Sequence, residues 1–422
     1  MTEKPVQKIE STCLQGGLTP VDEWKTPETS ARRSLKDALL HILAQIRAGV
    51  VQEDETFESL DNLPELAQSE LQGLAPQPDF PKLADALWSA LEASRSVARS
   101  SRDVTFLVAP PFSGVRSALE YFPELQAGRS SGTDQWSLIA PPENLLLDDQ
   151  GARDWWDRQD LSRPWVIPEL ADFWLRHLSG LALIRELLRR VAAGGLAPGL
   201  IGCSSWCWQF WSSYFGDTHL APLTPAPMTA TMLGDWFECL ASGTGGQAVI
   251  ARMADDGFYV LPTANPVQGK KHKHSGFLRD LASVARGNPG VALAIWRRSL
   301  RARPEDNPAM ENLAEEPVKD ASCARCWVVP FDQLSLPAVP QIQGDSIGLV
   351  LHALLLHEGL NTSFLELVTG VQEPQLGFVL SRLARSELIE QVESSDCWKV
   401  TASGYPSIRR HLQSWGFPVD MF

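Results

Sequence analysis

The feature that most constrains the fold is an alternation of short apolar runs with helix-like segments between residues 103 and 203. Such an alternation is typical of βαβ units, whose strands pair in parallel. The chain has 422 residues, 44% of them hydrophobic, which is enough for a large core. The sequence therefore predicts an α/β protein built on a parallel sheet. The predicted strands lie at 105–109, 136–140, 165–168 and 199–203, and the predicted helices begin at 113 and span 170–194.

Changes of composition divide the chain into four predicted regions. Residues 1–80 hold a polar arm without a clear period, expected to be loosely ordered, and an amphipathic helix over residues 30–50. Residues 81–274 carry the predicted sheet. Residues 275–344 hold a helical segment followed by a Pro-rich linker, and residues 345–422 form a separate C-terminal domain.

The C-terminal region has the pattern of a winged-helix domain. Three helical runs are followed by two short strands around a polar turn, and then by one more helix. We expect this small domain to pack beside the α/β core. The predicted helices lie at 347–357, 363–369, 374–386 and 405–415, and the strands at 388–392 and 397–400.

The strand–turn–helix at 105–120 is where a P-loop would lie. A P-loop needs glycines that let the backbone approach phosphate, a Lys for the terminal phosphates and a Ser or Thr for Mg²⁺. In PPFSGVRS, Arg116 takes the Lys position and Ser117 supplies the hydroxyl, but Pro110 and Val115 replace the two glycines. Alignment on Gly114 instead leaves no cation at the Lys position, so neither frame gives a complete loop.

A P-loop enzyme also needs an acid at the end of a neighbouring strand, to hold Mg²⁺ or to activate water. The strand at 165–168 has the right position, and there Pro168 replaces the metal-binding acid and Glu169 follows it. We take Glu169 as the candidate catalytic residue. Asp148, after a weaker apolar run, is the alternative.

Taken in order, these segments resemble the AAA+/STAND class of P-loop ATPases. The remaining elements of the resemblance are serines at 204 and 205, after the strand at 199–203, and the run GlyAsnProGly at 287–290. The resemblance covers residues 80–420 and implies a P-loop-type parallel sheet core, a helical lid at 275–344 and a C-terminal winged-helix domain.

The resemblance also implies ligands and roles for these residues. ATP or ADP would bind with Gly114, Arg116 and Ser117 at its phosphates and with Gly287 and Pro289 at its base. Ser204 or Ser205 would approach the γ-phosphate, and Mg²⁺ would accompany the nucleotide. The missing Lys and Asp weigh against hydrolysis, so we expect at most a weak ATPase that senses nucleotide or acts as a scaffold.

The charge of the chain bears on its partners. The net charge is −14, and residues 346–422 carry five Lys and Arg against eight acids. Such a domain repels DNA at long range, which favours a protein partner. The alternative is a DNA-binding transcription regulator that uses Arg382 and Arg385. A third reading is an ATPase whose site is completed by a neighbouring subunit in an oligomer.

The seven cysteines are scattered, which indicates reduced thiols rather than a disulfide framework. A CxxxC at 203–207 and a CxxC at 323–326 have no further Cys or His nearby in sequence, so no metal centre is expected. The absence of a signal peptide and of a long apolar run predicts a cytoplasmic protein.

Two further segments stand out. Seven of the fifteen Trp lie between residues 155 and 211, and they are interpreted as core, with a partner surface as the alternative. The basic run at 268–274 is interpreted as a solvated loop, with contact to a nucleotide, a nucleic acid or a lipid headgroup as the alternative.

Overall fold

The structure, a computed structural model, describes residues 12–27, 63–97, 103–129, 135–214, 220–243, 248–261, 273–302, 323–341, 344–392 and 395–422. The helix predicted over residues 30–50 lies outside these residues, as do residues 268–272 of the basic run.

The central sheet has six strands in the order β1-β6-β2-β5-β4-β3. The five strands from β6 to β3 pair in parallel, and only β1 is antiparallel to its neighbour. The predicted α/β class with a parallel sheet is therefore confirmed. The strands are β1 Leu18–Pro20, β2 Val104–Ala109, β3 Ser137–Leu138, β4 Trp165–Ile167, β5 Gly199–Ser204 and β6 Leu223–Pro225.

The start of the chain differs from the loosely ordered arm that was expected. Leu18–Pro20 forms β1 against β6, and the following Val21 and Trp24 are buried. Trp24 lies against Phe422, with ring centroids 4.8 Å apart. The segment is mostly polar, so its composition does not indicate that Val21 and Trp24 are buried. Both side chains pack against residues that are distant in sequence.

Helices flank the central sheet on both faces. Those described are α1 Gln68–Leu74, α2 Phe80–Val97, α3 Val115–Glu120, α4 Phe122–Arg129, α5 Asp149–Asp157, α6 Ala182–Ala193 and α7 Ser205–Tyr214.

The long helix predicted over residues 170–194 is wrong in its first half. Two short 3-10 turns, Leu170–Phe173 and Leu178–Gly180, precede α6. Trp174 between them is extended, and a Cβ at Gly180 would lie 2.5 Å from the carbonyl oxygen of Leu175. The apolar residues here are buried in an irregular segment, which a helical period cannot distinguish from a helix.

A second sheet has the order β7-β9-β8, with β7 Ala248–Met253, β8 Leu300–Arg301 and β9 Cys323–Val328. It packs with α8 Ala230–Gly243, α9 Phe277–Val284 and α10 Pro289–Ser299. The linker expected at 302–344 is therefore wrong for residues 323–328, where Cys326 and Val328 are buried and Arg325 is exposed in strand alternation. This sheet spans the predicted boundary at 274, and the domain boundaries stay predictions.

The C-terminal region contains the predicted helices and hairpin. They are α11 Ser346–Leu356, β10 Leu360–Asn361, α12 Thr362–Thr369, α13 Gln375–Arg385, β11 Ile389–Gln391, β12 Cys397–Val400 and α14 Tyr405–Ser414. The three strands form an antiparallel sheet in the order β10-β12-β11. The assignment of this domain as a winged helix stays a prediction.

The hydrophobic core lies on both faces of the central sheet. Phe106 and Val108 of β2 point to one face, whereas Leu107 and Ala109 point to the other. Of the seven Trp between residues 155 and 211, five are buried, which confirms the core interpretation for them. Within the described residues, we find no helix that combines the length and apolarity needed to cross a membrane.

Candidate functional site

A cavity of about 900 Å³ opens at the carboxyl ends of β2, β4 and β5. In open α/β sheets, ligands bind outside the carboxyl ends of the strands. One wall is the loop and helix at 109–117, and a second is formed by Pro168, Glu169 and Ser204. Helix α10, the C-terminal region and several residues between 65 and 80 supply further walls. The cavity thus brings together residues from all four predicted regions of the sequence.

The loop at 110–114 offers fewer free backbone amides to phosphate than a glycine-rich P-loop does. Pro110 and Pro111 have no amide hydrogen. The Ser113 amide donates to the Pro110 carbonyl at 3.2 Å, and Phe112 has a φ of 68°. Gly114, the N-cap residue of α3, has a φ of 83°, a conformation that favours glycine.

Helix α10 holds this loop through direct backbone contact. Asn288 caps α10 by accepting from the amides of Gly290 and Val291, and its side-chain amide donates to the Pro111 carbonyl at 2.6 Å. A Cβ at Gly290 would lie 2.1 Å from the carbonyl oxygen of Phe112. Only glycine therefore fits at position 290 without displacing the loop.

The predicted base-binding residues lie beside the same loop. Gly287, with a φ of 76°, accepts from the Met228 amide at 2.9 Å. Together with Pro289 and Pro110 it lines a second cavity of about 20 Å³, which also touches Cys13 and Trp24. A space of that size is close to that of one water molecule. A purine base does not fit there in this conformation, whereas Pro289 also lines the large cavity.

Arg116 lines the large cavity but is paired with an acid. Its guanidinium donates to both carboxylate oxygens of Asp172, at 3.2 and 2.8 Å, and lies 3.4 Å from Glu120 Oε1. Burial lowers the pKa of Arg116, but Asp172, Glu169 and the other neighbouring carboxylates outweigh burial and raise it above its usual value. The side chain is therefore a fixed cation. Ser117, one residue further along α3, also lines the cavity.

Glu169 follows β4 and is almost fully buried. Its Oε1 accepts from the amides of Ala171 and Ser204, both at 2.9 Å. Burial raises the pKa of this carboxyl to about 8, and the charge of Glu358 adds to the effect. Burial therefore favours the protonated form of Glu169 more than in an exposed carboxyl.

The other candidate residues differ in whether they reach the large cavity. Ser204 lines the cavity, and its hydroxyl accepts from the Cys207 amide at 3.2 Å. Ser205 instead donates to the buried Asp420 near the C-terminal end. Asp148 caps α5 by accepting from the Gly151 amide at 2.7 Å and does not line the cavity. Of the two candidate acids, the structure brings Glu169 to the loop.

Sequence reasoning missed Asp172 and Glu358. Asp172 lies within the segment predicted as a helix, so its position beside Arg116 has no signal in the local pattern. Glu358 follows α11 and lines the cavity. Its backbone φ is 55°, which is unusual for a residue other than glycine. Burial raises the pKa of Glu358 to about 7, against the opposing effect of Arg116 and Lys399.

No protein-family model and no curated protein sequence matches this chain. Among solved structures, it is similar to the ORC2 protein of Aeropyrum pernix, which was solved as ADPNP-ADP complexes. The two chains share 12% identity with a TM-score of 0.28, over 87% of this chain and 99% of that one. It is also similar to the Walker-type ATPase PABY2304 of Pyrococcus abyssi, with 11% identity and a TM-score of 0.26 over 83% of this chain and 99% of the other. Scores this low do not establish a shared fold, and the fold rests on the strand pairing described above.

Proposed function

We propose that this chain is a nucleotide-responsive regulatory protein of the P-loop ATPase type. ATP or ADP would bind in the large cavity, hydrolysis would be weak or absent, and a C-terminal winged-helix domain would contact a protein partner. The observation that carries the proposal is the position of that cavity, at the carboxyl ends of three parallel strands and against the strand–loop–helix at 104–120.

The polar end of the cavity suits the phosphates. Arg116 supplies a permanent positive charge, and Ser117 supplies a hydroxyl on the same wall. Because both terminal nitrogens of the Arg116 guanidinium already donate to Asp172, phosphate has to compete with this carboxylate. We therefore expect moderate rather than tight binding.

The apolar part of the same cavity suits the base. Phe80, Leu293 and Leu334 line it, whereas the small cavity at Gly287 is nearly filled. We therefore infer that the base lies on the α10 side of the large cavity and touches Pro289. Contact with Gly287 would require the residues around the small cavity to move.

Weak hydrolysis follows from the chemistry of the acids. Pro168 has no oxygen in its side chain at the position where an acid would bind Mg²⁺, and burial raises the pKa of Glu169, which favours its protonated form. The residues at this site therefore fit Mg²⁺ poorly, and we derive no catalytic step through it. The chain would retain bound nucleotide as a signal rather than consume it.

Equilibrium binding of fluorescent ATP and ADP to the full chain tests this proposal. We expect Arg116→Ala to weaken binding about tenfold or more, since a charge-assisted hydrogen bond contributes about 1.5–3 kcal/mol. Arg163→Ala is the matched control, because Arg163 forms an exposed ion pair with Asp160 away from the cavity. Failure of the wild type to bind either nucleotide, or equal affinity in both variants, would contradict nucleotide binding at this site.

A DNA-binding regulator remains the second candidate because of one feature of α13. Arg382 and Arg385 are exposed on this helix, together with Phe378, which is 58% exposed. A recognition helix needs such cations facing the groove. A salt-dependent mobility shift of duplex DNA that is lost on joint substitution of both arginines by Ala would favour this candidate over a protein partner.

A further inference from the structure

We propose that Glu169, Cys203 and Cys207 bind a zinc ion at the inner wall of the large cavity. All three side chains are buried, and one ligand atom from each lies within 4.8 Å of the others. Tetrahedral zinc, with bonds of about 2.3 Å to sulfur and about 2.0 Å to oxygen, needs ligand atoms about 3.5–3.8 Å apart. The three groups therefore reach bonding geometry by side-chain shifts of about an ångström.

The strand register places these residues together. Ile167 of β4 is paired with Ile201 of β5, so Glu169 and Cys203, each two residues further on, are level at the carboxyl edge of the sheet. Cys207 lies in the first turn of α7, where its amide donates to the Ser204 hydroxyl. Sequence spacing shows only the CxxxC pair, because the third ligand comes from a different strand.

The carboxyl group of Glu169 is already oriented for a metal. Its Oε1 accepts two backbone amides, from Ala171 and Ser204, which leaves Oε2 as the free ligand atom. Hydrogen bonds of this kind to a ligand fix its direction and raise metal affinity. Two thiolates with one carboxylate favour zinc over magnesium or calcium, which prefer oxygen ligands alone.

The site has an entry path and an open coordination position. Glu169 and Cys203 line the large cavity, whereas Cys207 lies behind them. Three protein ligands with a fourth position open to a cavity are typical of catalytic rather than structural zinc sites. Water would take the fourth position, and zinc would displace one proton from each thiol and the proton of Glu169.

Metal titration of the reduced, chelator-treated full chain tests the proposal, without nucleotide, so that its outcome is independent of the function proposed above. We expect one Zn²⁺ per chain and a Co²⁺ complex with a thiolate charge-transfer band. Cys207→Ser and Cys203→Ser should each weaken Zn²⁺ binding about 100-fold or more, while Glu169→Gln should weaken it about tenfold and keep the thiolate band.

Cys239→Ser, a substitution in α8 outside the cluster, is the matched control and should bind as the wild type. Circular dichroism of each metal-free variant shows whether it folds. Three results would overturn the proposal: no zinc bound by the reduced wild type, unchanged binding after loss of both cysteines, or a Cys203–Cys207 disulfide that forms in place of a metal complex.

Discussion

At the scale of single residues, the pairing of Arg116 with Asp172 limits what this arginine can do. Both carboxylate oxygens of Asp172 accept from the guanidinium, and both side chains keep about a third of their surface exposed. The P-loop template finds Arg116, because it depends on local spacing alone. It cannot find Asp172, whose contact depends on how the chain turns after β4.

Replacing Asp172 by Asn should strengthen the binding of ATP and ADP several-fold, because phosphate no longer competes with a carboxylate for Arg116. Titration with fluorescent nucleotide measures the change. Asp160→Asn is the control, because Asp160 pairs with Arg163 on the surface. Unchanged or weaker nucleotide binding in the Asp172 variant would mean that phosphate does not contact Arg116.

Two buried histidines should make the fold sensitive to acid. Burial, with Arg176 nearby, lowers the pKa of His352 to about 4 and that of His357 to about 3. Unfolded histidine titrates near about 6.5, so the unfolded chain binds protons first as the pH falls. Stability is therefore complete above that value and is lost as the pH drops towards about 4, by an amount of the order of 3 kcal/mol for His352.

Urea unfolding at neutral pH and at about pH 4.5 measures this loss. His352→Gln should show a smaller difference between the two conditions than the wild type, whereas His274→Gln, at an exposed position, should match the wild type. If the wild type and both variants lost the same free energy of unfolding at about pH 4.5, titratable groups other than His352 would be responsible.

At the scale of elements, the contact of α10 with the loop at 110–114 gives Gly290 an unusual requirement. Alanine normally stabilises a helix relative to glycine by about 1 kcal/mol. Here we expect Gly290→Ala to destabilise the protein by about 2 kcal/mol or more, because its Cβ would lie 2.1 Å from the Phe112 carbonyl oxygen. Thermal or urea unfolding measures the difference.

Gly377→Ala in α13 is the matched control, because among the described residues nothing lies within 4 Å of a Cβ at that position. It should leave stability unchanged or raise it by up to about 1 kcal/mol. If Gly290→Ala, like Gly377→Ala, left the free energy of unfolding unchanged or raised it, α10 would be able to move away from the loop at little cost.

Sequence periodicity predicts the regular elements well and the irregular ones poorly. The strands at 165–168 and 199–203 are continuous apolar runs, and the C-terminal helices have clear apolar faces, so local pattern suffices for them. The segment 170–180 is equally apolar, but it is irregular. Glu169 caps its start by accepting from the Ala171 amide, and Arg116 pairs with Asp172. Contacts of that kind have no fixed spacing along the chain.

At the scale of the whole molecule, Asp420 joins the C-terminal region to the core. It accepts from Ser205 of the core and from Arg409 of α14, and Tyr405, which accepts from Trp206, lies 3.4 Å from the same carboxylate. Burial raises the pKa of Asp420, while its hydrogen bonds from Ser205 and Arg409 act in the opposite direction. The C-terminal tail thereby fixes the C-terminal domain to the core.

Asp420→Ala should cost about 3–5 kcal/mol, because it leaves the buried Arg409 cation without its partner. The double variant Asp420→Leu with Arg409→Met should recover much of this loss, since no unpaired charge is then buried. Urea unfolding of the two variants provides the comparison. A double variant less stable than the single one would show that the ion pair itself, rather than its desolvation, holds the domains together.

The short strand β1 has a consequence for the solubility of the protein. It covers the outer edge of β6, and an uncovered strand edge is a template for pairing with another chain. Residues 12–27 supply this cover, together with the Trp24 ring that packs on Phe422. A shortened chain that began after them would expose the edge of β6 and an apolar surface side by side, and would tend to self-associate at the point where the intact molecule covers itself.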